Sequence, residues 1–222
     1  MRRWRGTLSA VCGSALAGIA LGACTHARSG PPSEHLVDFG VTQPTANTVH
    51  VCHAYGCQRK TKFRFSDADL AEIGAVMAKT RAADTAHEER RAVAYAIGWI
   101  EHRVGAAIGT SSDRAGMDFT ASGDPAQQDC VDESTNTTSY LLVLQANGFL
   151  KHHTVARPFA KDQLWRGVAG WTHWTAVIEE TAGGRQRWAV DSWIYANGEN
   201  PAIVEAENWY VSDLDSLPQQ LH

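Results

Sequence analysis

Two strand-like segments in the second half of the chain constrain its fold more than any other feature. Thr172 to Glu180 and Arg185 to Trp193 have the composition of strands and flank the turn sequence Thr181-Ala182-Gly183-Gly184. Strands joined by so short a glycine-containing loop form an antiparallel hairpin. The sequence therefore predicts a hairpin over residues 172–193.

The length of the hairpin loop decides which side chains share a face. A three-residue loop pairs Thr181 with Arg185, which sets His173 opposite Trp193 and diagonal to Asp191. His173 and Asp191 then lie on one face of the hairpin. A two-residue loop would put them on opposite faces.

Signals for helix starts occur three times upstream of the hairpin. Ser66 with Asp69 and Thr85 with Glu88 have the spacing of capping residues, and each pair precedes an apolar stripe at helical spacing. A third helix is predicted from about 129 to 146, small and polar in its front half and apolar in its rear half. The expected fold class is α+β, with two or three helices packed on a small antiparallel sheet.

The amino-terminal segment has the pattern of an exported protein. Residues 1–23 begin with three arginines and continue as a nearly uncharged run, too short for a membrane-spanning helix, which predicts a secretory signal. Leu21-Gly22-Ala23-Cys24 resembles the bacterial lipobox, so lipid attachment to Cys24 is predicted. The alternative is a plain signal peptide with a chance cysteine. Thr25, in place of the Asp of an inner-membrane retention signal, favours the outer membrane, facing the periplasm.

Charge and composition limit the partners of the remaining chain. The net charge of -4 and the lack of a basic patch give no reason to expect nucleic acid. Residues 24–48, which hold three prolines, are expected to be a tether and lead-in. Residues 49–222 are expected to form the folded domain, held at the membrane through the lipid.

Export also determines how the other cysteines are interpreted. Cys52 and Cys57 are predicted to form a disulfide, because an exported protein meets an oxidising compartment. The alternative is a metal site built from His50, Cys52, His53 and Cys57. Cys130 is then left without a partner, and an unpaired thiol in an exported protein requires an explanation.

Cys130, His173 and Asp191 together provide the groups of a thiol acyl-transfer site. In such a site the thiol attacks, the imidazole takes its proton and the carboxylate fixes the tautomer of the imidazole. A cysteine in the first turn of a helix is favoured as the thiolate, whereas the neighbouring acidic residues oppose ionisation. A protonated His173 therefore has to outweigh them. The alternative roles are a buried structural thiol and two ordinary hydrogen-bonded polar groups.

The order and spacing of these residues resemble a known group of enzymes. Asp129-Cys130 at a helix start, His173 on a strand and Asp191 in Trp-Ala-Val-Asp-Ser-Trp are similar to the transglutaminase-like branch of the papain-like cysteine enzymes. Bacterial transglutaminase-like cysteine peptidases are the most similar members, and the resemblance covers roughly residues 120–195. It implies a catalytic helix on an antiparallel sheet, with Cys130 as nucleophile, His173 as base and Asp191 as orienting carboxylate. The region upstream of the nucleophile is shorter than in the family.

Two further expectations concern the surroundings of the nucleophile. The backbone N–H of Cys130 and the side chain of Gln127 or Gln128 are candidate oxyanion donors, although both glutamines suit an ordinary loop. Some of the similar bacterial peptidases depend on calcium, which makes the acids at the helix start candidate ligands or, alternatively, simple helix-start residues: Asp129, Asp132 and Glu133. No other cofactor is expected.

The function expected from the sequence is that of a cell-envelope lipoprotein with a Cys-His-Asp site. A cysteine peptidase or amidase that acts on a protein or peptide through an acyl-enzyme fits these residues best. The alternatives are an amine acyltransferase of the transglutaminase type and a non-enzymatic binding module that retains the fold.

Overall fold

A computed structural model describes residues 30–161 and 172–213 of the 222-residue chain. The predicted signal peptide 1–23, the predicted lipidation site Cys24 and the first part of the predicted tether lie outside the described residues. No helix within the described ranges is long and apolar enough to cross a membrane.

The described residues form an α+β fold of helices and small antiparallel sheets. In chain order the elements are α1 (Pro32–Asp38), β1 (Thr48–His53), β2 (Arg59–Arg64), α2 (Asp67–Thr80), α3 (Ala86–Ile108), α4 (Cys130–Ala146), β3 (His153–Lys161), β4 (His173–Glu180), β5 (Arg187–Asp191), β6 (Ala202–Glu205) and α5 (Ala206–Val211). A short 3₁₀ helix, Phe119–Ala121, lies in the long connection between α3 and α4.

The strands form two antiparallel sheets. Strands β1 and β2 pair as a hairpin, and β3, β4, β5 and β6 follow one another in order in a four-stranded sheet. Ala176 pairs with Val190 and Glu179 with Arg187, the register predicted from a three-residue loop. Pairing ends slightly earlier than expected, where the backbone N–H of Glu180 donates to the carbonyl of Gln186. The predicted hairpin and its register are thus confirmed.

The predicted helix starts are also confirmed. Ser66 and Asp69 form a capping box at α2, and the Thr85 hydroxyl accepts from the Glu88 N–H at α3. Asp129 is the N-cap of α4, where its side chain and that of Asp132 complete another capping box. These cap bonds satisfy N–H groups that have no partner inside the helix.

The polar front half of α4 is buried together with its apolar rear half. Thr137 bonds to Ser192 across to the sheet, and the hydroxyls of Thr138 and Ser139 donate to carbonyls of the preceding turn. Because each hydroxyl has a partner, the helix can be buried on its polar half without leaving polar groups unsatisfied. Helix α4 therefore runs through the interior, between the β1–β2 hairpin and the four-stranded sheet.

Part of the segment 24–48 differs from the predicted tether. Residues 32–38 form α1, and Leu36 and His35 are buried against the domain. His35 Nε2 lies 2.9 Å from the hydroxyl of Thr135 on α4, and its ring packs against Trp174. The folded domain therefore begins before residue 49, because α1 covers apolar surface that the other elements leave open.

Candidate active site

Cys130 is the first residue of α4 and the free cysteine among the described residues. The cap formed by Asp129 fixes the backbone on its amino-terminal side, and the residue is only 4% exposed. Its thiol donates to the carbonyl of Thr172 across 3.6 Å. The sulfur therefore contacts the backbone of the residue directly before His173.

The surroundings of Cys130 favour the neutral thiol. Burial raises the pKa of Cys130 to about 12; the backbone N–H of Trp174 opposes this shift, whereas the negative charges of Asp129, Asp191 and Asp132 add to it. The sequence anticipated the opposition from the neighbouring acids. In this arrangement burial and the acids together outweigh the helix terminus, and the thiol is protonated.

His173 and Asp191 form a buried pair on adjacent strands. Nε2 of His173 lies 2.8 Å from Oδ2 of Asp191, as the shared face of the predicted hairpin requires. An ionised carboxylate only accepts, so Nε2 carries the proton that is donated. Nδ1 is then an acceptor, and it is buried without a hydrogen-bond partner among the described residues.

The structure thus brings His173 and Asp191 together and puts the Cys130 sulfur beside the same stretch of β4. The sulfur contacts the carbonyl of Thr172 and the N–H of Trp174, the two backbone groups that flank His173. Within the described residues no hydrogen bond joins the sulfur to the imidazole, and the free imidazole nitrogen is the one that faces away from the carboxylate.

Two tryptophans enclose the imidazole. The rings of Trp193 and Trp209 have centroids 4.5 and 5.3 Å from that of His173. Trp209 also donates its indole N–H to Oδ2 of Asp191 across 2.7 Å. Trp209 belongs to α5, which no sequence pattern predicted, and its hydrogen bond to Asp191 was therefore missed.

The two candidate oxyanion glutamines are engaged in folding the loop. Gln127 donates its amide to the carbonyls of Ser112 and Ala126, and Gln128 donates to the carbonyl of Cys52. Both side chains are buried. The two N–H groups of the Gln127 side-chain amide are both used in these bonds. The oxyanion role of Gln127 and Gln128 stays a prediction, which would require these bonds to break.

The acids at the start of α4 accept hydrogen bonds from other parts of the domain. Asp129 accepts from the N–H of Val131 and Gly56, and Asp132 accepts from the N–H of Tyr55. Glu133 accepts from the hydroxyl of Ser192. These contacts account for the three carboxylates as folding interactions, and calcium binding at Asp129, Asp132 and Glu133 stays a prediction.

Cys52 and Cys57 form the predicted disulfide. The alternative metal site loses both sulfur ligands to this bond. His53 is also engaged, since its ring nitrogens lie 2.8 Å from the Pro125 carbonyl and 2.9 Å from the Thr61 hydroxyl. A carboxylate oxygen of Asp132 and the two sulfurs lie within 4.8 Å of one another, but disulfide sulfurs are not thiolate ligands.

A group of buried acids lies behind the site. Burial raises the pKa of Glu101 to about 8 and that of Asp113 to about 7, and burial with the nearby Glu101 raises the pKa of Glu133 well above its ordinary value. The Ser192 hydroxyl donates to Glu133 at 3.0 Å, and Ser192 directly follows Asp191. The residue that follows β5 is thus hydrogen-bonded to one of three buried carboxyls whose pKa values are raised.

An open hollow of about 320 Å³ is lined in part by Asp129, the residue that directly precedes Cys130. Its wall includes Asp129, Tyr55, Met117 and the exposed Phe119. Met117 and Phe119 belong to the long connection between α3 and α4.

Comparisons of this chain with protein-family models, with curated proteins and with solved structures give no match.

Proposed function

We propose that this protein is a cysteine peptidase or amidase, with Cys130 as nucleophile, His173 as general base and Asp191 as the orienting carboxylate. The observation that supports it most directly is the buried His173–Asp191 pair, whose second imidazole nitrogen has no hydrogen-bond partner among the residues that the structure describes. The Cys130 sulfur contacts the backbone on both sides of that histidine.

The proposed chemistry begins when the Cys130 side chain leaves the Thr172 carbonyl and its S–H proton passes to Nδ1 of His173. The thiolate then adds to the substrate carbonyl carbon, and the imidazolium returns the proton to the departing amine. Asp191 stabilises the imidazolium through Nε2 during this step. Water attacks the resulting thioester, His173 takes its proton, and the acid product leaves as Cys130 regains its hydrogen.

The backbone N–H of Cys130 is the proposed donor to the oxyanion. At the first position of α4 this N–H has no partner within the helix, and it points out of the helix terminus together with its neighbours. Such donors stabilise charge that develops in the transition state.

The finer fold assignment is also a proposal. A papain-like or transglutaminase-like architecture is supported by the nucleophile at the first residue of a helix that packs on an antiparallel sheet. It is further supported by His173 and Asp191 on neighbouring strands of that sheet. The same acyl-enzyme attacked by an amine in place of water would give the amine acyltransferase.

A non-enzymatic binding module is the competing proposal. It is supported by the raised pKa of Cys130, which burial causes, and by the low exposure of the thiol. We further propose that the protein acts in the bacterial cell envelope, anchored by a lipid on Cys24 to the outer membrane on its periplasmic side, with a protein or peptide as substrate.

Site-resolved alkylation of the full chain tests the enzyme proposal. Iodoacetamide is applied across pH, and mass spectrometry measures the modification of the peptide that contains Cys130. We expect Cys130 to react well below pH 8, because its side chain can leave the Thr172 carbonyl for Nδ1 of His173, where an imidazolium stabilises the thiolate against the effect of burial. The His173→Ala variant should lose this reactivity.

His153→Ala is the matched control. His153 is also buried and also pairs with a carboxylate, at 3.0 Å from Glu89, but it lies at the opposite end of the β3–β4 pair from His173. It should leave the reaction of Cys130 unchanged. An ordinary thiol titration of Cys130 in the wild-type protein, with a midpoint of about 8.5 or above, would count against catalysis.

A further inference from the structure

The loop closed by the Cys52–Cys57 disulfide has an unusual backbone. Four successive residues have left-handed φ angles: Ala54 (69°), Tyr55 (69°), Gly56 (58°) and Cys57 (56°). Three of the four are not glycine, and each such residue is held in a conformation that L side chains disfavour. Backbone of this kind persists only where surrounding contacts impose it.

The contacts that impose it come from the start of the nucleophile helix. The N–H groups of Tyr55 and Cys57 donate to the two oxygens of Asp132, at 2.8 and 2.6 Å. The N–H of Gly56 donates to Asp129 at 2.9 Å. Successive N–H groups that converge in this way form a nest for anionic groups.

The first residue of the loop is tied to the same helix. Asn136, on α4, accepts from the N–H of Cys52 at 2.7 Å and donates to its carbonyl at 2.8 Å. The carbonyl of Cys52 also accepts from Gln128, two residues before Cys130. The N–H of Ala54 donates to the carbonyl of Gln127.

The two acids in the nest flank the proposed nucleophile. Asp129 and Asp132 are the N-cap and the third residue of α4, and their capping box encloses Cys130. Burial raises the pKa of Asp132, the charge of Asp129 adds to this, and the N–H groups of Cys57, Asp129 and Tyr55 oppose it. Loss of the nest would remove donors from both acids and free the backbone that carries the thiol.

We propose that the disulfide loop is the positioning element for Cys130 and that the reactivity of the site depends on the Cys52–Cys57 bond. This inference rests on the proposed function. A dithiol reductant would supply two electrons and two protons, so that the disulfide becomes two thiols while the reductant becomes a disulfide. Residues 54–57 could then leave the left-handed region, withdrawing their N–H groups from Asp129 and Asp132.

The test compares three samples of the full chain: the oxidised wild type, the Cys52→Ser/Cys57→Ser double variant, and the reduced wild type. The reduced sample is treated with dithiothreitol, which is then removed in the absence of oxygen. Alkylation of Cys130 by iodoacetamide is followed by mass spectrometry at several pH values. At about pH 6.5 we expect the rate to fall by about tenfold or more, because a ~1 Å misplacement can cost on the order of a hundredfold. The pH profile should move to that of an ordinary thiol.

Hydrogen exchange of the backbone provides a second readout that does not depend on catalysis. The N–H groups of Val131 and Asp132, which are bonded to Asp129, should exchange faster in the reduced protein. Circular dichroism shows whether the double variant folds. If it does not fold, the reduced wild type and the Asp132→Asn variant take its place in the comparison with the oxidised wild type. Asp132→Asn keeps the disulfide but alters the acceptor of the Tyr55 and Cys57 N–H groups.

Asp69→Asn is the control, since Asp69 is the equivalent capping-box residue of α2 and touches neither the nest nor Cys130. It should weaken its helix cap while the pH profile of Cys130 stays unchanged. A reduced, folded protein with unchanged exchange at the start of α4 overturns the positioning proposal. Faster exchange there, with a wild-type Cys130 that titrates as an ordinary thiol, supports positioning by the loop and overturns the proposed function instead.

Discussion

Trp209 donates its indole N–H to Oδ2 of Asp191 across 2.7 Å, and the same oxygen lies 2.8 Å from Nε2 of His173. Trp209 is fully buried and Asp191 is 1% exposed. A carboxylate removed from water is costly unless donors replace the lost solvent. Two N–H donors on one oxygen hold Asp191 in the orientation that its pairing with His173 requires.

Removing the indole donor should therefore destabilise this carboxylate. We expect Trp209→Phe to lower the free energy of unfolding, by about 1–3 kcal/mol for the lost partner of a buried acceptor and more for the reduced packing. Urea unfolding at neutral pH measures the change. Trp209→Phe should also lower the alkylation rate of Cys130 at low pH, because a less firmly held Asp191 stabilises the imidazolium less well.

The Trp193→Phe variant distinguishes the effect of the Trp209 hydrogen bond from the effect of ring packing. Trp193 packs on His173 at 4.5 Å, closer than Trp209, but its indole N–H is buried without a hydrogen-bond partner in the described part of the chain. The same change of ring size at this position breaks no bond to a carboxylate. An equal effect of the two substitutions would show that the Trp209 N–H contributes nothing beyond packing.

Much of the site could be predicted because short-range rules determine it. The length of the loop determines whether the numbers of paired β4 and β5 residues add up to an even or an odd number. An even sum, as in the Ala176–Val190 pair, puts His173 and Asp191 on one face of the sheet. The third helix was predicted from about residue 129, and the structure shows that Asp129 and Asp132 form a capping box at its start. The cysteine count, taken with the expectation that the chain is exported, predicted the disulfide.

The remaining features depend on contacts between segments that are distant in sequence. Trp209 reaches Asp191 from a six-residue helix with no cap bond from a side chain, so no local signal announced it. Asn136 bonds to Cys52 across 84 positions, which gives a polar residue of α4 a buried role. The raised pKa of Cys130 reflects burial, which the sequence of its own helix does not reveal.

The buried acids predict that stability falls as pH rises. Burial raises the pKa of folded Glu101 to about 8, whereas the unfolded residue titrates near its ordinary value of 4.5. Between these values the folded state binds more protons than the unfolded state, so each increase in pH favours unfolding. Asp113, raised to about 7, acts in the same direction. The domain should be more stable near pH 5 than near pH 8.5.

Glu101→Gln should reduce this difference, because the amide stays neutral at both pH values. One pKa unit corresponds to about 1.4 kcal/mol, so the gain near pH 8.5 should be on the order of a few kcal/mol. Urea unfolding at the two pH values measures it. Glu72→Gln, at an exposed position of α2, is the control and should change neither value. Stability that rises with pH in the wild type would contradict the assignment of protonated buried acids.

The lipid anchor is tested by exchanging the two amino-terminal cysteines in turn. If Cys24 carries the lipid, Cys24→Ser should abolish incorporation of an alkyne-tagged fatty acid and release the protein from the membrane fraction, because serine offers no thiol for the lipid. Cys12→Ser should keep both the label and the membrane association, since Cys12 lies within the predicted signal peptide and would be removed with it. Since one or more acyl chains are what hold such a protein at a bilayer, label and membrane association should disappear together. A wild-type protein that is cleaved and exported but never labelled would support a plain signal peptide. It would contradict the proposal that the protein is anchored to a membrane.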